Sequence, residues 1–372
     1  MAEVHAEAVP RAPAQSVARP VSEVGVLAWL RQNLFSTWYN ALLTLLCLWL
    51  LWQLVPSLVR WALLDADFAG TSREDCTSGG ACWVFIKVRF WQFMYGFYPV
   101  DQRWRVNLAF VILIVALIPL FLPRLRHKLA LAAGILVFYP IVAYGLFYGG
   151  VLGLPVVETA LWGGLFLTLV IAGVGIVASL PLGILFALGR RSDMPIVRAM
   201  CITFIEVMRG VPLITILFMA SVMLPLFLPQ GVNFDKLLRA LVGVSLFSAA
   251  YMAEVVRGGL QAIPKGQYEA AQALGLSYWK MMGLIVLPQA LRIVIPGIVN
   301  TLIGLFKDTT LVLIIGLFDL LGIVKAALTD ASWIGYASEG YVFAAFCFWI
   351  FCFGMSRYSM YVERRLGAGQ RR

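Results

Sequence analysis

The chain of 372 residues is 61% hydrophobic and 13% charged, against about 25% charged residues in an ordinary soluble domain, and its mean hydropathy is +0.87. Apolar runs of about 20 residues recur along most of its length, which excludes a soluble globular enzyme and makes lipid the solvent of the fold. The net charge of +10 comes from 29 Lys and Arg scattered in short clusters between those runs, so it reports membrane topology and excludes one continuous nucleic-acid-binding face.

Residues 1–37, rich in Ala, Pro, Arg and Val without a periodic apolar face, read as a flexible cytosolic arm. The first apolar run starts too late and lacks a cleavage site for a secretory signal, so it is an uncleaved span. Apolar runs then fall at Trp38–Val59, Val106–Leu122, Leu129–Gly150, Leu161–Leu188, Phe204–Leu228, Leu237–Val256, Ala290–Phe318 and Tyr341–Tyr361. These runs are too long, and too little alternating, for barrel strands, and lipid offers no partner to a bare peptide group. The expected fold is therefore all-α, a polytopic membrane protein of about eight transmembrane helices. Gly145, Gly149 and Gly153, spaced by four, are expected to pack the third span closely.

Lys and Arg near span ends set the sidedness. Arg124, Arg126 and Lys128, then Arg190, Arg191 and Arg198, then Arg257, Lys265, Lys280 and Arg292, and finally Arg357, Arg364 and Arg365 all fall on one face when eight spans are drawn. Both termini, including the basic tail 367–372, are then cytosolic. The segments around Glu158, Asp235 and Asp319 lie outside, with the mixed-charge loop 60–105. Cys76 and Cys82 share that outer loop, where either a disulfide or two free thiols is compatible with the compartment. Two histidines far apart, His5 and His127, supply neither a histidine metal site nor a catalytic triad.

The segment 257–288, between the sixth and seventh spans, is polar and patterned. Glu269, Ala270, Ala271, Ala273 and Leu274 form a helix with a small-residue face, Gly275 ends it in a left-handed turn, and Ser277 caps a second helix, Tyr278 to Leu287, closed by Pro288. Two short helices presenting alanines outward suit insertion into a groove of another protein.

Written out, Glu269-Ala270-Ala271, three residues, Gly275, nine residues, Ile285, one residue and Leu287-Pro288 resembles the EAA loop of membrane subunits of binding-protein-dependent ABC importers. Glu206-Val207-Met208-Arg209-Gly210 and Glu254-Val255-Val256-Arg257-Gly258 are similar to the branch that carries polar amino acids (His, Glu, Gln, Arg, opines), and Lys307-Asp308-Thr309-Thr310 fits the same pattern. The resemblance covers 155–366 and implies a five-helix permease core. Residues 38–150, with three added spans, look like the permeases of general L-amino-acid transporters. It implies four kinds of partner: a cytosolic ABC ATPase dimer, a second permease subunit (a homologue or another copy), a periplasmic amino-acid-binding protein, and inner-membrane lipid. ATP and Mg would sit on the ATPase, because this chain carries no G-x-x-x-x-G-K-[ST] loop and is expected to bind no cofactor, metal or nucleic acid itself.

Two groups of charges carry alternative readings. Lys307 and Asp308, with Thr309 and Thr310, either line a substrate pathway, offering a zwitterion one cationic and one anionic contact, or snorkel to the interface and neutralise each other. Glu206/Arg209 and Glu254/Arg257, each spaced by three on a helix, are either local ion pairs or a gate above the loop. An ion-coupled secondary transporter is the alternative to an importer subunit, but no pair of corresponding broken helices in inverted halves supports it.

Overall fold

The computed structural model describes residues 25–122, 127–151, 153–229, 231 and 234–367. They divide into two compact units, one reaching to residue 66 with 78–81, the other holding 67–77 and everything from 82 onward. Arg124, Arg126, most of the arm 1–37 and nearly all of the tail 367–372 lie outside the described residues.

The first unit contains helix α1 (Val26–Asn33) and helix α2 (Trp38–Val59). Val26–Asn33, about two turns within the segment expected as a flexible arm, is thus helical, because Val26, Trp29 and Leu30 recur at helical spacing once Gly25 has opened it. α2 buries none of its side chains within its own unit, as a helix meant for lipid must. Pro56 removes a backbone donor inside α2, and the helix widens into a π-turn over Arg60–Leu64, a common accommodation of such a defect.

In the second unit, helices α3 (Trp83–Tyr95), α4 (Arg103–Phe121) and α5 (Lys128–Tyr148) precede the long α6 (Gly164–Arg190). The outer loop expected over 60–105 therefore contains a helix of its own, and Arg105, expected in that loop, is fully buried in the first turn of α4. Gly149 and Gly153 lie past the end of α5 with φ of 81° and 74°. They shape a turn rather than a helix face, since their left-handed backbone cannot continue a helix, and this corrects the packing role assigned from spacing.

α7 (Pro195–Gly210) and α8 (Leu213–Phe218) occupy the fifth apolar run. The run is broken: the two halves meet at 106°. Pro212 explains the break, because it lacks an N–H and forces Val211 into extended backbone, observed at ψ 135°. Among the described residues, seven helices have the length and composition to cross a membrane, eight if this bent pair is one span.

α9 (Lys236–Gln261) starts where the Asp235 carboxylate accepts the Leu238 N–H. It packs along α6 over most of its length, and glycines allow the approach: a Cβ on Gly183 would strike Met252, and one on Gly175 would meet Leu305 and Val244. Helices α10 (Lys265–Ala273) and α11 (Tyr278–Met281) form the hairpin. The second helix does not close at Pro288. A π-turn over Met282–Val286 absorbs the missing donor, and the helix resumes as α12 (Leu287–Ile293) with Pro288 in its first turn. Ser277 stands at the cap position of α11 but makes no side-chain cap bond.

The seventh run, expected as one interrupted helix, is interrupted twice. α13 (Ile295–Asp308) begins after a break at Val294, and at Thr309 the helix tightens to 3-10 geometry until Gly316, in left-handed conformation, stops it. Helix α14 (Leu320–Leu328), unforeseen in the sequence, and the long α15 (Ala337–Gly367) complete the described residues.

Three apolar clusters hold this unit. One joins α4, α5, α6, α9 and α13; the second gathers the ends of α6 and α9 with α7 and the hairpin; the third packs α3 on α14 and α15.

Candidate functional site: the hairpin and the charges above it

In the hairpin, Gly275 has φ 70°, and the Leu276 N–H returns to the Ala271 carbonyl, so the turn takes the left-handed form its sequence called for. Glu269, Ala270, Ala273, Leu274 and Gly275 are exposed. Ala271 is not: at 1% exposure it packs into the second cluster, which corrects the picture of all the alanines facing outward. Leu287 is half-buried and Pro288 exposed. Beside the turn, Leu274 and Trp279 are 77% and 70% exposed.

Polar contacts tie the hairpin to the spans. Arg191, just after α6, donates to the Leu260 carbonyl and to the Tyr268 hydroxyl, and its guanidinium lies over the Tyr268 ring. Tyr268 in turn donates to Leu260 O at 3.2 Å, and Gln289 Nε2 donates to Gln267 Oε1 at 3.1 Å. These contacts join α10 to the ends of α6 and α9 and to α12.

Directly above lies an ionic network. Glu254 on α9 accepts from Arg257 at 2.7 Å and from Arg190 at the end of α6 at 2.8 Å, and Arg209 on α7 stands 3.6 Å away. Glu206 binds Arg190 at 2.9 Å. Of the two local pairs expected from spacing, Glu254–Arg257 forms, whereas Glu206 and Arg209 each turn to another helix. Arg190 is nearer to both carboxylates than the sequence spacing suggested, because α6, α7 and α9 converge at this level. Sequence reasoning used Arg190 and Arg191 only as topology markers and missed their contacts; two adjacent arginines at a span end opposite repeated Glu-x-x-Arg motifs were the available signal.

Lys307 is exposed and Asp308 half-buried, and among the described residues no ion pair joins them, as neighbours in sequence on a helix point in different directions. Thr309 is fully buried and donates to the Phe306 carbonyl; Thr310 donates to Lys307 O. The hydroxyls thus stabilise the change from α to 3-10 geometry at this place.

At the other end of α6, Gly96, Gly163 and Gly164 let three segments cross with strand-like pairing: Gly96 with Trp162, and Gly163 and Gly164 with Phe318 and Asp319. Asp319 is fully buried and accepts from the Leu321 and Gly322 N–H groups at the start of α14. Burial pushes its carboxyl up to about 6, only partly offset by those N–H groups. Glu339, also buried, accepts the Cys82 N–H. Cys76 and Cys82 are joined as a disulfide with Cα atoms 5.6 Å apart. No group of three metal-ligating side chains occurs among the described residues.

Residues 179–368 match the family described as "Binding-protein-dependent transport system inner membrane component". The chain is 59% identical over 344 residues to the inner membrane amino-acid ABC transporter permease protein YhdY of Escherichia coli, spanning 92% of this chain and 94% of that one. It is 44% identical to the glutamate/glutamine/aspartate/asparagine transport system permease protein BztC of Rhodobacter capsulatus, over 93% of this chain and 95% of that one. The glutamate/aspartate import permease protein GltK of Escherichia coli is 33% identical over 54% of this chain and 91% of its own length.

Proposed function

We propose, for a chain that belongs to the inner membrane component family of binding-protein-dependent transport systems, that it is the permease subunit of an ABC importer carrying polar L-amino acids inward across the bacterial inner membrane. Its 59% identity along nearly its whole length to a relative named an amino-acid ABC transporter permease is the observation that carries this reading. The substrate class follows the names of the relatives, and the arginine and lysine clusters support a cytosolic hairpin and cytosolic termini. Residues 155–366 form the transport core, and 38–150 are an addition to it.

In this reading the chain hydrolyses nothing. A separate cytosolic ATPase covers Glu269, Ala270, Leu274 and Trp279 around the Gly275 turn, and the buried Ala271 anchors α10 to the second cluster. Nucleotide-driven movement of the ATPase shifts α10, and the Arg191–Tyr268 and Gln267–Gln289 contacts pass that shift to the spans. The ionic network around Glu254 lies at the convergence of α6, α7 and α9 and acts as the inner gate, rearranging as those helix ends separate. Such a set of packed helices with two discrete arrangements is what alternating access requires. Lys307, Asp308, Thr309 and Thr310 line the pathway, a periplasmic binding protein delivers the substrate, and a second permease subunit completes the enclosure.

The test is co-purification. The chain should carry its ATPase through affinity purification from membranes, and Glu269→Lys or Gly275→Asp should remove the ATPase while leaving the permease folded and inserted. Gly275→Asp also strains a left-handed position. Retention of the ATPase by both variants would contradict the docking role.

A further inference from the structure

Helix α3 is apolar but does not cross the membrane. Its 13 residues rise about 20 Å, too little for a hydrocarbon layer of about 30 Å, and Lys87 and Arg89 lie within it. One side, with Phe85, Ile86 and Phe93, is buried in the third cluster against α14 and α15. The other side of its middle turns exposes Lys87, Val88, Phe90 and Trp91, the last at 58%.

The end of α3 is fastened beside the start of α4. The Trp91 ring stacks on Tyr95 at 6.1 Å, the Tyr95 hydroxyl donates to Asn107 Oδ1, and the Arg103 guanidinium lies 5.4 Å from the centre of the Tyr95 ring. These contacts set Trp91 level with the first turns of α4. That helix has the length and composition of a span, and Trp104, Leu108, Val111 and Val115 form an exposed stripe along it at helical spacing. Trp104 heads the stripe at 50% exposure, where aromatic side chains meet the headgroups. By the arginine and lysine clusters this is the outer end of α4. The exposed side of α3 thus stands at the depth where the lipid-facing surface of α4 reaches the headgroups. We propose that α3 is an interfacial helix and that its exposed side, with Arg103, binds an anionic phospholipid of the outer leaflet. The proposal goes beyond the importer reading and rests on the membrane fold alone.

Charge selects within the lipid class. Lys87 and Arg103 have no ion-pair partner among the described residues. Arg103 is nonetheless held in place, by the Tyr95 ring and by its Nε, which donates to Tyr98 O at 3.4 Å. Its Nη groups make no hydrogen bond among the described residues, so they can donate to a phosphate. Of the carboxylates near by, Asp330 is engaged by Arg89, and Asp101 accepts from the Gln102 side chain. Two uncompensated cations therefore face one carboxylate that is already hydrogen-bonded. Phosphatidylglycerol answers that surplus, whereas phosphatidylcholine would bring a cation of its own to it. Val88, Phe90 and Trp91 then cover the glycerol and the first methylenes, as the apolar face of an interfacial helix does.

The full-length chain in phosphatidylcholine nanodiscs tests this, with Val88→Cys carrying an environment-sensitive fluorophore and the free cysteines Cys47, Cys201, Cys347 and Cys352 replaced by alanine. A lipid nitroxide at the top of the acyl chain should quench the fluorophore about twofold more than one near the chain end, since an interfacial helix sits at the boundary of headgroup and acyl chain. At equal mole fraction, nitroxide-labelled phosphatidylglycerol should quench about threefold more than its phosphatidylcholine counterpart, and high salt should weaken that preference. Lys87→Gln combined with Arg103→Gln should remove the preference and keep the depth profile. A fluorophore that no lipid nitroxide quenches would overturn the proposal, because the exposed side would then face water or a partner protein. So would equal quenching by the two lipids, a preference indifferent to salt, or one that survives in the doubly neutralised chain. None of these readouts involves ATP-driven uptake, so the importer reading stands or falls separately.

Discussion

Glu254 and Glu206 share Arg190 but differ in how much each has at stake. The Glu254 side chain is 15% exposed and meets three guanidiniums, whereas Glu206 is 55% exposed and meets one. Removing the more buried carboxylate leaves Arg209 and Arg257 without their carboxylate and Arg190 with Glu206 alone, so Glu254→Ala should cost ~2 kcal/mol in a thermal unfolding assay in detergent. Glu206→Ala should stay within ~0.5 kcal/mol, as solvent screens an exposed pair. Equal shifts would show that the network is not centred on Glu254. Asp319 gives a pH signature. Its folded-state carboxyl titrates near 6 against an ordinary value of 3.8, so the folded state holds the proton more tightly than the unfolded chain. Stability contributed by the protonated form is complete below about pH 4 and is lost as pH rises through about 6, a fall of up to ~3 kcal/mol. Asp319→Asn should flatten that part of the stability–pH curve, and an unchanged slope would place its origin elsewhere. Lys307→Met should abolish uptake while complex assembly survives; unchanged transport kinetics would assign Lys307 to the membrane interface instead.

Elements whose form is set locally were legible in the sequence, and those set by distant contacts were not. The α10 turn was readable because Gly275 alone supplies a left-handed residue after an alanine-rich helix, and the spans because lipid imposes long apolar runs. α14 was missed because its start depends on Asp319, which is buried by segments far away in sequence. The fifth span was read as continuous although Val211-Pro212 already encoded its break. The cross-helix partners of Arg190 and Arg191 require the convergence of α6, α7 and α9, which no spacing reveals. The glycine crossing at the start of α6 makes a further element-scale prediction. A Cβ on Gly164 would overlap the Phe93 carbonyl, and its φ is 65°, whereas a Cβ on Gly173 in the same helix meets nothing within 4 Å. Gly164→Ala should therefore lower the melting temperature sharply or prevent accumulation in the membrane. Gly173→Ala should be neutral or slightly stabilising, since alanine is the better helix former by about 1 kcal/mol. Similar behaviour of the two would mean that the crossing tolerates a side chain.

For the whole molecule, the proposed importer role makes transport depend on a separate ATPase docked on the hairpin. The decisive measurement is L-glutamine uptake into proteoliposomes. Vesicles holding the complete transporter, supplied with its binding protein, should take up substrate only when ATP is present, and Gly275→Asp should lower that uptake at least tenfold. Uptake driven by an ion gradient in vesicles holding this chain alone, with no ATPase, would contradict the account.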